Sequence, residues 1–362
     1  MISFPTQFDE IYKRIKSIKP EKYRHTRNYV NGAVSYLSPY ISRGVISTKT
    51  VYNHLLKENY PFETIEKYVQ ELAWRDYWQQ VWVHKKNEIN VDLKSRQQKV
   101  INYEIPSAIL KKSTSITAID EAIQALENIG YMHNHMRMYV AAVTCNIGKS
   151  HWWNPARWMY YHLLDGDWAS NALSWQWVAG TIASKKYYAN QANINKFFNS
   201  EQQNTFLDHD YDVLINQPCP SELIDTTLPS LKTVLPVTTA PDIIPDHPIL
   251  IYNYYNLDPN WRVEGNYNRI LLLEHEIFEL YPVAPKNLEF IQLLGTNINN
   301  LQVYTSSFES LIKIHPNHKI IYKEHPLNTH YKGTEDARDW MFEVDGYFPS
   351  FFAFWKKCKK QL

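Results

Sequence analysis

Over the first two hundred positions, apolar residues return every three or four places. Ile65, Val69, Leu72 and Trp74 form one such run, and Ala122, Leu126 and Ile129 another. That spacing gathers apolar side chains on one face of a helix, so residues 1–200 are predicted to be mostly helical. Asp120, at the head of the second run, stands in an N-cap region. Between 150 and 180 the pattern predicts helices joined by the tight loop Leu164-Asp165-Gly166-Asp167.

The pattern then breaks. Residues 216–248 contain seven prolines among many Asp, Thr and Ser. Proline lacks the N–H that helices and sheets require, so this stretch reads as a long surface linker. Beyond it lie short β-rich runs, Ile249–Tyr255, Ile270–Leu273, Leu301–Tyr304 and Ile320–Tyr322, with helix-like segments at Pro285–Leu294 and Tyr347–Lys359. Strands alternating with helices predict a small parallel α/β domain. The expected organisation is a helical domain over 1–205, a linker over 206–247 and an α/β domain over 248–362. No glycine-rich phosphate loop and no internal repeat is visible.

With 362 residues, one or two domains with real cores are expected. The first nineteen residues carry charges throughout, and no apolar run approaches the length of a membrane span. Cys145, Cys219 and Cys358 are odd in number and widely spaced, which argues for a reducing compartment and against a disulfide framework or a four-cysteine iron–sulfur cluster. A cytoplasmic monomer is expected. Net charge is only +1, but the halves differ: residues 1–200 hold 25 Lys and Arg against 16 Asp and Glu, and residues 201–362 hold 13 against 21. A basic half beside an acidic one points to an anionic partner for the first, or to a solvated surface with chance asymmetry.

Four runs carry chemistry. In Gly130-Tyr-Met-His-Asn-His-Met-Arg-Met138, a helix puts Asn134, Arg137 and Met138 on one face, a set suited to a large ligand that is part anionic and part aromatic. His133 and His135 sit two apart and face different ways, so no metal site is expected. In Glu71-Leu-Ala-Trp-Arg-Asp-Tyr-Trp78, the residues Glu71, Trp74, Arg75 and Trp78 share a face that could stack on a base and pair with phosphate. In Leu164 to Gly180, Asp165 and Asp167 bracket a glycine, Asn171 follows at a helical distance, and Trp175 and Trp177 come next, with Trp152 upstream. A calcium loop there fails for want of further oxygen ligands and a closing Glu. In Tyr23 to Ser47, Ser35 and Ser38 near a helix start could bind phosphate. Each run alone also reads as ordinary structure: an amphipathic helix with an ion pair, a core Trp pair, a turn, a cap.

Together and in this order, the runs resemble the FAD-binding helical domain of DNA photolyases and cryptochromes, over roughly residues 5–200 and most specifically over 130–180. The resemblance implies FAD as cofactor and UV-damaged DNA as partner. It implies that Tyr23, Ser35, Leu37 and Ser38 hold the FAD phosphates, with Arg75 near the same diphosphate. Asn134, Arg137, Asp165 and Asp167 would line the flavin, and Asn171 would face flavin N5, as the Asn of photolyases does. Glu71, Trp74, Asn134, Met138 and Trp177 would contact a flipped lesion. Trp175 and Trp152 would begin an electron-transfer chain.

The sequence departs from that pattern in several places. A gapless count puts Lys99 at the third member of the chain, so Tyr103 or another aromatic would have to substitute. Val34 replaces a hydroxyl residue, Tyr187-Tyr188-Ala189-Asn190 lacks an arginine, and His135 stands where many relatives have Arg. Relatives place an α/β domain before the helical one. Here the C-terminal part, with Arg269-Ile-Leu-Leu-Leu-Glu-His275 and Pro285-Lys286, faintly resembles that domain displaced and shortened, and no antenna pigment is expected in it. The implied activity is light-driven repair of pyrimidine dimers by electron transfer from reduced flavin. The alternatives are a cryptochrome-like photoreceptor without repair and a flavin-free helical protein that only binds nucleic acid.

Overall fold

A computed structural model describes residues 2–183 and 185–362. Twelve helices come first: α1 (Phe8–Lys16), α2 (Pro20–Thr26), α3 (Ser38–Ser42), α4 (Thr48–Lys57), α5 (Phe62–Lys85), α6 (Ser107–Lys111), α7 (Thr117–Ile129), α8 (Asn134–Ala142), α9 (Trp153–His162), α10 (Trp168–Ala179), α11 (Gln191–Phe198) and α12 (Tyr211–Asn216). Strand β1 (Ile105–Pro106) pairs antiparallel with β2 (Thr226–Thr227). Then follow β3 (Ile249–Tyr252), β4 (Asn268–Leu273), α13 (His275–Leu280), α14 (Pro285–Gly295), β5 (Leu301–Thr305), α15 (Phe308–Ile314), β6 (Ile320–Lys323), β7 (Thr334–Asp336) and α16 (Phe351–Cys358). The chain is thus a helical region followed by a five-stranded parallel sheet with helices.

Local chemistry sets the helix ends. Ser47 and Thr50 cap α4 reciprocally. Asp167 opens α10 by accepting from Ser170 N at 2.7 Å. Asp120 is not a cap. Helix α7 starts three residues earlier, at Thr117, and the Asp120 carboxylate instead holds Thr114 through its N–H and hydroxyl. The longest helix, α5, buries Ile65, Val69, Leu72, Ala73, Asp76 and Tyr77 in helical rhythm and runs through the middle of the helical region. A π-helical turn, Val143–Ile147, continues α8 into the core.

The sheet order is β5-β4-β3-β6-β7. The chain starts at the centre, builds β4 and β5 on one side, then crosses back to add β6 and β7 on the other. Strand side chains alternate between faces, and the two faces have different tasks. Leu250, Tyr252, Leu271, Leu273 and Ile321 join the large core shared with the helical region and α14. Ile249, Ile251, Ile270, Leu272 and Ile320 pack under Phe308 and Leu311 of α15. Both faces are covered, which explains the continuous apolar runs of β3 and β4.

Sheet and helical region are stitched by hydrogen bonds as well as by apolar packing. Lys286 donates to Leu126 O and Glu127 O, both at 2.7 Å, satisfying carbonyls at the end of α7. Asn287 donates to Tyr161 O and Leu163 O. Gly44, at φ +64°, lets the backbone of Tyr255 approach where any Cβ would collide with its carbonyl. The proline-rich stretch is fixed along its length: Thr233 bonds Val283, and Thr305 donates its backbone N–H to Thr238 Oγ1 and its hydroxyl to Pro236 O.

Candidate functional site

Four parts of the helical region converge: the segment 23–38, one face of α5, the start of α8, and the loop Leu163 to Asp167 with the α10 it opens. Tyr23 packs on Tyr68 of α5 with ring centroids 4.7 Å apart, and Tyr68 donates its hydroxyl to Ser35 Oγ at 2.7 Å. Ser35 therefore keeps its own proton to donate elsewhere. The next residue, Tyr36, sits at φ +54°, a left-handed conformation that costs energy in a non-glycine residue and turns the chain sharply before α3. Ser38 is the first residue of α3. Leu37 is buried, so only its backbone is free to meet a ligand.

Two arginine–aspartate pairs anchor the centre. Arg137 donates from Nη2 to both oxygens of Asp165, at 3.0 and 2.9 Å, and from Nε to Met132 O at 2.8 Å. Arg75 stands 3.4 Å from Asp167. Both carboxylates are buried while both guanidiniums keep some exposure. His133 caps α8 by accepting from His135 N; burial, with His135 and Arg137 nearby, pushes its pKa down to about 4, so it stays neutral beside Arg137. Burial, reinforced by Glu71, raises the Tyr23 phenol well above its usual value and keeps its proton in place.

Asn171, one turn into α10, is buried and donates to Ala156 O at 2.8 Å. Among the described residues its Oδ1 has no donor. Glu71 is held by Lys67 at 2.7 Å and Arg27 at 3.5 Å. Trp74, Met138 and Trp177 are half-buried, and Asn134 is exposed at the start of α8. Trp74 has one neighbour that the sequence did not announce: Phe351 of α16 stacks on it with centroids 3.8 Å apart and planes at 10°.

The two tryptophans of the expected electron chain are not ring neighbours. Trp152 is fully buried, donates Nε1–H to Asp92 at 2.7 Å, and touches His151 at 5.8 Å and Trp153 at 5.6 Å. From His151 the aromatic row continues to exposed Tyr103, stacked at 4.9 Å. Trp175 is buried as well.

Several site residues escaped the sequence reading. Gln79, one turn beyond Arg75 on the same face of α5, donates to Asp167 and accepts from Arg338. Its spacing from Arg75 was the available signal. Arg43 is fully buried, donates to Gly166 O, and lies 3.7 Å over the Tyr254 ring. Arg75, Gln79 and Asp167 also wall a cleft of about 410 Å³ that reaches Asn253 and Tyr255 after β3 and Glu324 and His325 after β6. Strands β3 and β6 are where the sheet order reverses, the usual place for a cleft in such sheets.

The donor set fits a dinucleotide such as FAD. A diphosphate needs cations and hydroxyls, groups that Arg75, Tyr23, Ser35 and Ser38 carry. A flavin ring edge needs donors and acceptors in one plane. Among the described residues, Arg137 Nη1 and Asn171 Oδ1 are without protein partners, and both belong to the cluster around Asp165 and Asp167.

No helix among the described residues is long and apolar enough to cross a membrane. Residues 68–220 match the FAD binding domain of DNA photolyase. The chain is similar to the deoxyribodipyrimidine photo-lyase of Alkalihalophilus pseudofirmus, at 30% identity over 153 residues, 40% of this chain and 31% of that one. It is similar to the enzyme of the same name from Neurospora crassa, at 29% identity over 243 residues, 63% of this chain and 38% of that one. The crystal structure of a bacterial class III photolyase from Agrobacterium tumefaciens superposes with a TM-score of 0.47 at 25% identity, covering 52% of this chain and 41% of the other. The chain thus spans about a third of the length of the curated relatives it matches. Residues 68–220 thus carry an FAD-binding domain of the DNA photolyase and cryptochrome superfamily.

Proposed function

We propose that the protein binds FAD and uses light to split pyrimidine dimers in DNA. The observation that carries this reading is the cluster of Arg137–Asp165, Arg75–Asp167 and Asn171, built on four separate elements and left with spare donors and acceptors. FAD, when bound, supplies light absorption and the electron.

The chain's own residues bind, orient and shield. Arg75 and the hydroxyls of Tyr23, Ser35 and Ser38 hold the diphosphate. Asp165 fixes the plane of the Arg137 guanidinium, so its free edge is aimed without loss of side-chain freedom on binding. Asn171, tied to Ala156 O, presents its amide oxygen to the flavin edge as an acceptor. Asn134 and Met138, on the same face of α8 as Arg137, and Trp74, Glu71 and Trp177 receive a nucleotide turned out of the DNA stack. Damage weakens pairing and makes that extrusion easier. The positive excess of residues 1–200 draws the phosphate backbone, with an affinity that falls as salt rises.

The test is to purify the protein, release and identify its flavin on heating, then reduce it and illuminate it with a dimer-containing oligonucleotide. Bound FAD with light-dependent loss of the dimer, abolished in Trp74→Ala or Asn134→Ala, supports repair. A second reading, a cryptochrome-like photoreceptor without repair, draws on the Phe351 stack, which takes up one face of the Trp74 indole. Bound FAD with no dimer loss on single- or double-stranded substrate would favour it. Protein that carries no flavin sinks both.

A further inference from the structure

Helix α16 lies outside the segment matched to the family and has two unlike faces. Phe351, Phe354, Trp355 and Cys358 are buried against the core. Phe352 is 69% exposed, and Lys356, Lys357, Lys359 and Lys360 are exposed as well. Residues four and seven apart on a helix share a face, so Lys356 and Lys359 line up beside Phe352. Lys359 meets Glu66 at 3.7 Å; among the described residues, Lys356, Lys357 and Lys360 have no carboxylate partner.

This concentration of positive charge runs against its surroundings, since residues 201–362 as a whole carry 21 acidic and 13 basic residues. The aromatic ring in its midst stays largely in solvent and meets the core only at its edge. It does, however, end a row: Phe352 lies 5.5 Å from Phe351, which stacks at 3.8 Å on Trp74. Lysines flanking an exposed aromatic match a charged strand whose bases present flat faces, the pattern by which proteins hold single-stranded nucleic acid.

We propose that the exposed face of α16 docks a single strand of nucleic acid, with an unpaired base on Phe352 and phosphates on Lys356, Lys357 and Lys360. The inference rests on the repair reading only for the choice of DNA as the strand; the binding itself requires neither flavin nor light.

The experiment is fluorescence anisotropy of the full chain with a labelled, undamaged oligothymidylate of about sixteen nucleotides, in the dark, across a salt series. Phe352→Ala should raise Kd about fivefold or more, and Phe352→Tyr should restore it. The triple change Lys356→Gln, Lys357→Gln, Lys360→Gln should make the slope of log affinity against log salt shallower by about 2. These side chains are exposed, so an unchanged Tm will show that the variants fold. Wild-type Kd in Phe352→Ala, or a wild-type salt slope in the triple variant, overturns the proposal. So does binding to vesicles of phosphatidylserine and phosphatidylcholine with none to the oligonucleotide. A protein that binds the strand through these residues yet splits no dimer leaves this proposal standing and removes the repair reading alone.

Discussion

Arg137 grips Asp165 through a single nitrogen shared between both carboxylate oxygens, at 3.0 and 2.9 Å, and so joins the start of α8 to the loop that opens α10. Asp165 is buried, and among the described residues no lysine or second arginine pairs with it. Removing the guanidinium leaves a buried charge uncompensated, which costs about 3 kcal/mol. Arg137→Ala should therefore lower stability in urea by that order and release flavin during gel filtration. Arg137→Lys keeps the charge but loses the planar fork, and should hold the fold while still losing flavin. Full flavin retention in Arg137→Ala would remove Arg137 from the site.

A second carboxylate behaves differently. Asp76, on the buried side of α5, accepts from Thr48 Oγ1 at 2.9 and 3.0 Å and from Met341 N at 3.1 Å, linking α4, α5 and the C-terminal segment. Burial outweighs these bonds and raises its pKa to about 6. Between pH 4 and 6 the folded protein holds a proton that the unfolded chain has released. Asp76 therefore contributes a stability that is present at pH 4 and lost as pH rises to 6, by about 3 kcal/mol. Buried histidines such as His133, whose pKa is pushed down to about 4, act in the opposite sense over the same range. The comparison with Asp76→Asn isolates the carboxylate: the variant should gain on the wild type in Tm as pH rises from 4 to 7. A constant difference across that range would refute the shift.

Sequence reading caught the helical region and the parallel sheet because both write strong periodic signals: Ile65-Val69-Leu72 on α5, and unbroken apolar runs on β3 and β4. It missed β7 because Thr334-Glu335-Asp336 is a short, polar edge strand with no apolar face to bury. Strands β1 and β2 were missed for a like reason, two residues each and set by a distant partner. Asp120 was misjudged as a cap because the helix start was set by the apolar run after it, whereas α7 opens at Thr117 and the Asp120 carboxylate turns back to Thr114. Among the candidate site residues, Asn134 and Arg137 were legible because helical spacing sets them on one face of α8, and Asp165 and Asp167 because two carboxylates bracket a glycine in a tight loop. Arg43 and Phe351 were not, since each reaches the site only through contacts with distant segments, Gly166 and Trp74 respectively, and Gln79, signalled only by its spacing from Arg75, was passed over.

Gly44 gives a test of how tightly the two regions are pressed together. At φ +64° its missing side chain faces the Tyr255 carbonyl, with Asn256 Cα 3.1 Å from where a Cβ would lie. Gly44→Ala combines left-handed strain with a backbone clash and should cost about 2 kcal/mol or more. Thermal unfolding of this variant beside Gly295→Ala, where an added Cβ would meet only the Leu301 side-chain tip at 3.0 Å, separates the two cases. A Gly44→Ala protein as stable as wild type would mean that the helical region and the sheet can move apart at little cost.

The aromatic row around Trp152 yields the last prediction. Trp152 and His151 share one acceptor, Asp92 Oδ1, at 2.7 and 3.2 Å. Indole becomes a far stronger acid when it loses an electron, and Asp92 is placed to take the Nε1 proton. Tyr103, 58% exposed and stacked on His151, can then refill the row from solvent. With a thiol as external donor, light-driven bleaching of the bound flavin should slow about tenfold or more in Trp152→Phe and by a smaller factor in Tyr103→Phe. Asp92→Asn should slow it and weaken its pH dependence, because the proton loses its acceptor. Trp153, on the other side of Trp152 at 5.6 Å, leads inward to buried Trp168 at 5.4 Å, so Trp153→Phe should bleach at the wild-type rate. Slowing in Trp153→Phe with none in Tyr103→Phe would send the electrons along that inner branch, and a wild-type rate in Trp152→Phe would discard the row altogether.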